Sequence, residues 1–278
     1  MMLTNVRAEL TKQAYRPSSW LLLGIAALLT LTFAYVIPYA GYTGAVTGGP
    51  AAERGLASML PAQFVGSVLG GLPVFVGALS LIFGVLVAGS EYGFETWKSV
   101  LGQQPSRMTV YGAKLVTVAA GTLTGVLTLF TVTAVASLVV AGVEGHAVLW
   151  PDAGEIAVGA AGAWLVATMW GSLGVLLGIG LRSVALPIGL GLVWLLAVQN
   201  LLSGIAAPMV PFIADLQTYL PGPNAGALAA ALGASTRTPG VEAVVGAGHA
   251  TIVLAAYLVA FCGLGGRLLR RRDIACAA

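Results

Sequence analysis

Residues 90–114 read SEYGFETWKSVLGQQPSRMTVYGAK. They join two long apolar runs, 63–89 and 115–141, and hold Glu91, Glu95, Lys98, Arg107, Lys114, Trp97 and a helix-ending Gln104-Pro105, in a chain of which only 8% is charged. Polar chain of this density cannot lie in hydrocarbon, where unpaired polar groups find no water, so it reads as a loop on one side of a membrane. Its aromatic and charged residues mark it as a docking surface for a partner.

The composition around it agrees. With 58% hydrophobic residues and 38 glycines among 278 residues, and a mean hydropathy of +0.93, the chain has the character of a multispanning membrane protein whose solvent is lipid. Small residues are abundant because helices in lipid gain packing only by close approach. A net charge of +3 and a pI near 9.0 follow from membrane topology, so no nucleic-acid partner is expected. Cys262 and Cys276 are too few and too badly placed for a disulfide framework or a metal site.

Working outward, residues 1–17 carry Leu3, Val6, Leu10 and Ala14 at helical spacing with Arg7, Glu9, Lys12 and Arg16 between them, which predicts an amphipathic helix in the membrane interface. Residues 18–278 form the membrane domain. A first span runs from about Trp20 to Ile37, is too long for a secretory signal core, and ends at Pro38 and the glycine-rich segment 41–50. Spans two and three are the runs already named. The fourth covers about Ile156 to Leu181, the fifth about Val184 to Ile205 and the sixth about Gly246 to Gly265. Only Leu181, Arg182 and Ser183 separate spans four and five, which forces a tight hairpin. The connection 206–245, with five prolines and the weakly amphipathic stretch Phe212 to Leu220, is expected to form short re-entrant helices at the outer surface.

Six spans put both termini, the 90–114 loop and the hairpin after span four on one side. That side carries eleven of the thirteen Lys and Arg residues, and the other carries only Arg54 and Arg237. The basic side faces the cytoplasm by the charge rule, so the expectation is a multi-pass protein of the plasma membrane with both termini cytoplasmic.

Several chemistries lack their residues. Every acid and base falls within a few residues of a span end, against an internal proton relay. The mid-span hydroxyls, such as Thr117, Thr122, Thr124, Thr128, Thr131 and Thr133, suit bonds to their own helix or to a neighbour. Gln199 and Asn200 in span five are costlier to bury and are weak candidates for a polar point on a substrate path. Ser172 lies about 25 Å down span four at 1.5 Å per residue, whereas His249 is within about 5 Å of the outer end of span six, so they cannot share a proton. No lysine follows a glycine, so no P-loop exists, and an ATP-using assembly would bind ATP in another chain.

Glu91-Tyr92, Thr96, Leu101, Pro105-Ser106-Arg107 and Lys114 together resemble the cytoplasmic loop of the type-two ATP-binding-cassette (ABC) export permeases, with Glu95 standing where that family usually has glycine. The likeness extends to the amphipathic N-terminus, the six spans and the long outer connection. It implies a permease that pairs with a second permease copy, as a homodimer or related heterodimer, and with two copies of a separate ABC ATPase subunit. ATP and Mg would be held by that subunit, with no cofactor, metal or catalytic residue in this chain. The implied ATPase-coupling residues are Glu91, Tyr92, Phe94, Glu95, Trp97, Lys98 and Arg107. The aromatics would anchor the interface while the charges set orientation. The expected function is export of an amphiphile such as a drug, antibiotic, peptide or lipid. The alternative is a membrane scaffold or immunity-type protein that binds a peptide or lipid without moving it; an intramembrane enzyme fits least.

Overall fold

The computed structural model of the chain describes residues 2–93 and 106–271. Of the residues singled out above, Phe94, Glu95, Thr96, Trp97, Lys98, Leu101, Gln104, Pro105 and Cys276 lie outside that set. The described residues form an all-α membrane protein with six spans and no strand: Pro17–Tyr42, Pro61–Tyr92, Arg107–Val143, Ala153–Leu181, Ala185–Ala206 and Ala247–Arg271. An N-terminal helix, Met2–Ala14, precedes span one. Two short helices, Pro211–Gln217 and Pro221–Ala231, fill the connection between spans five and six. By the even number of spans, one end of the bundle gathers the N-terminal helix, the base of the 90–114 loop and the end of span six, and is called here the basic end.

Spans two and four are the centre of the bundle. Their most apolar stretches are 61% buried, against 22% for spans one, five and six, so the outer three present most of their surface to lipid or to another chain. Close approach holds the central pair together. A Cβ on Gly84 would fall on the Gly171 carbonyl oxygen, and one on Gly174 on the Leu81 carbonyl oxygen. With no hydrophobic drive between helices in lipid, this contact supplies the dispersion energy that keeps them paired. Trp170 and Met169 of span four and Leu81 of span two are fully enclosed beside it.

Proline shapes the spans without ending them. Pro38 was expected to stop span one, yet the helix runs on to Tyr42, because the turn before it, Thr32–Val36, is π-wound. Span two takes a π-wound turn over Leu72–Val76, which contains Pro73. The wider winding makes room for a ring that would otherwise strike the carbonyl four residues back. The hairpin between spans four and five is as tight as the sequence requires, and Arg182 at its corner adopts the left-handed conformation, φ 52°. The threonines of span three bond to their own helix, as expected: Thr117, Thr122, Thr124, Thr128, Thr131 and Thr133 each donate to the carbonyl four residues back at 2.7–3.0 Å.

The second short helix is the larger surprise of the outer connection. Pro211–Gln217 lies within the weakly amphipathic stretch and leaves Phe212 73% exposed. Pro221–Ala231 is buried over nearly its whole length, from Pro221 to Ala229, and packs against span six and the π-wound part of span two. Its run of alanine and glycine lets the chain leading into span six pass close over it: a Cβ on Gly226 would meet the Gly240 carbonyl oxygen.

Candidate functional site

Polar groups gather at two places in this apolar chain. The first is at the basic end, where four charged side chains from three elements meet. Lys12 Nζ lies 3.1 Å from Glu9 Oε1 and 2.5 Å from Glu91 Oε1. Lys114 Nζ lies 3.2 Å from each of the same two oxygens and donates to the Val87 carbonyl at 3.0 Å. An ammonium has three N–H donors, and Lys114 has three acceptors here. Every donor of this lysine, 1% exposed, is thereby used, with both acids nearly as buried. Two positive and two negative charges cancel, so the group carries no net charge into the bundle. Burial by itself would lower the Lys12 pKa, but the hydrogen bond to Glu91 and the Glu9 and Glu91 charges outweigh it and hold the ammonium above its ordinary 10.5. Beside the cluster, Arg16 donates to Ser90 Oγ at 2.8 Å and to the Leu86 carbonyl at 3.2 Å.

These contacts decide which face of the N-terminal helix meets the bundle. Glu9 and Gln13 are buried while Leu3 is 84% exposed. The polar face therefore turns toward spans two and three, and the apolar face turns outward. In lipid both directions accept hydrocarbon, so the charges, which need partners, decide. Span three also begins eight residues before the apolar run does, at Arg107, where the Ser106 hydroxyl caps the helix by accepting from Thr109 N at 3.2 Å. Lys114 thus stands two turns inside a helix and not at its edge.

Of the seven residues assigned to ATPase coupling, the structure describes three. Glu91 is 1% exposed and belongs to the ion cluster. Tyr92 is half-buried against the cluster of Val87, Val110 and Ile179. Arg107 is half-buried at the first turn of span three. The partners of Glu91 were not legible as such, although Glu9 and Lys12 at i and i+3 and a lysine entering an apolar run were signals that each charge needed an opposite one.

The second polar place is toward the opposite end, where spans two and five meet the helix Pro221–Ala231. A cleft of about 240 Å³ is lined by Pro73, Leu195, Gln199, Ser203, Gly222 and the exposed Glu242, among others. Both polar candidates of span five line this cleft, one buried and one exposed. Gln199 is 2% exposed; its Oε1 accepts from the Gly222 amide at 2.6 Å, and its Nε2 is buried with no partner. Asn200 is exposed and donates to the Leu196 carbonyl at 2.8 Å. Span five is π-wound on both sides of Gln199, over Val193–Val198 and Leu202–Ala206, and span two is π-wound where Pro73 and Val74 line the cleft. Such winding leaves carbonyls poorly satisfied and is frequent at functional positions.

Ser172 and His249 have separate partners. The Ser172 hydroxyl is reached by the Cys262 thiol at 3.6 Å, whereas His249 Nε2 lies 3.0 Å from the Thr218 carbonyl. Among the described residues no three His, Cys, Asp or Glu side chains gather as a metal site. Comparison of the chain with protein-family profiles and with curated proteins found no match.

Proposed function

We propose that this protein is the membrane-spanning subunit of an ATP-driven ABC exporter, set in the plasma membrane with its basic end in the cytoplasm, and that it moves an amphiphile using energy from a separate ATPase. The observation that carries this reading is the ion cluster of Glu9, Lys12, Glu91 and Lys114. It ties the N-terminal helix and the first turns of span three to the last turn of span two, at the base of the 90–114 loop. A push on that loop is then delivered to three elements at once, because a buried charge group whose lysines each serve two carboxylates resists shear where apolar packing alone would slide. Span two carries the displacement toward the cleft at Gln199, whose amide and π-wound surroundings suit the polar group of an amphiphile passing between two permease copies.

The test is co-purification with an ABC ATPase, followed by ATPase activity in liposomes. Trp97→Ala should lose both association and stimulated hydrolysis while inserting normally, since truncating an aromatic interface anchor commonly costs about 2 kcal/mol or more. Retention of both at wild-type levels would make the loop an ordinary connector and favour a scaffold that binds without transport.

A further inference from the structure

On the basic half of the bundle, a cleft of about 290 Å³ opens between the N-terminal helix and spans one, two and three; Gln13, Trp20, Leu23, Phe83, Gly121 and Gly125 are among its walls. The span-three wall runs from Ala120 to Leu129, a length of about 14 Å at 1.5 Å per residue. It is almost wholly apolar. Thr122 and Thr124 on this wall donate to carbonyls of their own helix, Thr122 also facing the Thr168 hydroxyl.

One polar group breaks the pattern. Gln13 is 7% exposed, its Oε1 accepts from the Ser19 hydroxyl at 3.1 Å, and its Nε2 is buried with no partner. It sits four residues before span one, at the level where chain passes from interface to hydrocarbon. A buried amide donor is costly to leave unpaired. Water does not suit the cleft as a whole, since each buried water needs two to four polar partners.

We propose that this cleft binds one acyl chain of a bilayer glycerophospholipid, with the ester carbonyl accepting from Gln13 Nε2 and the chain lying along Ala120 to Leu129. An ester carbonyl sits at the depth of the interfacial helix, and its hydrocarbon tail enters the span from there, so one molecule satisfies both the orphan donor and the apolar walls. At Gly125 a Cβ would meet nothing within 4 Å, so the cleft is open there and a chain can lie against the helix backbone. The surrounding leaflet supplies the ligand directly, because exposed lining residues such as Trp20 already face it. The proposal requires neither transport nor an ATPase.

The full chain is reconstituted in phosphatidylethanolamine and phosphatidylglycerol vesicles doped with phosphatidylcholine bearing a diazirine midway along one acyl chain, irradiated, and mapped by peptide mass spectrometry. Wild type should carry several-fold more adducts on 120–129 than around Ile252 and Val259, ordinary exposed positions of span six. Gly125→Leu, which fills the cleft without backbone conflict, should remove that excess and leave the span-six adducts unchanged. Gln13→Leu should lower the excess and spread the adducts along span three. Equal labelling of the two surfaces in wild type, or an excess that survives Gly125→Leu, would overturn the proposal. So would protein-to-protein cross-links replacing lipid adducts at 120–129, which would assign the cleft to a second copy of the chain. The wild-type comparison decides even if a variant fails to fold.

Discussion

The two polar places in this chain are built in opposite ways. At the basic end four full charges are brought together, each lysine serving both carboxylates, and the Lys114 donors are all used. At the opposite end the central group is a neutral amide, half of it bonded to Gly222 and half of it unpaired, in a cleft bordered by widened helical turns. A charge in a low-dielectric interior must be paired inside the protein, so the first place is closed and stiff. An amide can tolerate an unfilled bond at a smaller cost, so the second can wait for a ligand. The difference teaches where a membrane protein can put a joint and where it can put a site.

The largest effect should come from breaking the joint. Lys114→Met takes away the buried cation that Glu9 and Glu91 share, and removing one partner of a buried charge group costs about 3–5 kcal/mol. The melting temperature in detergent should fall sharply, and adding Glu91→Gln should recover part of the loss by removing one of the stranded charges. If Lys114→Met melts like wild type, the basic end is held by packing and the contrast with the cleft collapses.

A smaller and more local effect is expected at the cleft. Gln199→Leu takes away the acceptor of the Gly222 amide, a loss of about 1–3 kcal/mol confined to the start of the helix Pro221–Ala231. Global melting should move less than for Lys114→Met, while a cysteine placed at Gln217 should react faster with an impermeant maleimide. Unchanged labelling would mean that Gln199 does not hold this helix, and that its burial serves something else.

The smallest effect is the pH response of the joint. The Lys12 side chain is 33% exposed, so water screens it, and Lys12→Ala should cost under about 1 kcal/mol. Its pKa is raised on folding, so its contribution is complete below the ordinary value of 10.5 and is lost as pH climbs through the folded value. Melting should therefore show no pH dependence from Lys12 near neutrality and an alkaline decline that Lys12→Ala reduces. A pH dependence near neutrality that Lys12→Ala removes would show that the cluster is more open than its geometry.

The number of spans, the position of the polar loop and the tight hairpin at Arg182 were all legible in the sequence, because hydrocarbon thickness sets a minimum run length and polar chain is excluded from it. The threonines of span three behaved as isolated residues would, each closing a bond within its own turn. Less was legible at the ends. The helix Pro221–Ala231 has no long apolar run and its prolines resemble a loop, yet burial against span six supplies what propensity does not. The π-wound turns have no short sequence signature; Pro73 and Pro38 hint at two of them, and nothing comparable marks the pair that flanks Gln199.

By itself the sequence determined that this chain crosses a membrane six times and gathers its bases at one end, since both follow from one-dimensional runs of hydropathy and charge. Only the tertiary structure decided which way each polar side chain turns. Gln199 and Asn200 are adjacent in sequence but about 100° apart around a helix, so one is buried against Gly222 while the other stays exposed at the same cleft and bonds to its own helix. Lys114 finds its acids 23 and 105 residues away. A periodic pattern shows that a helix has two faces, but in lipid the apolar face is welcome on either side. The polar face goes where partners from distant parts of the chain complete its bonds.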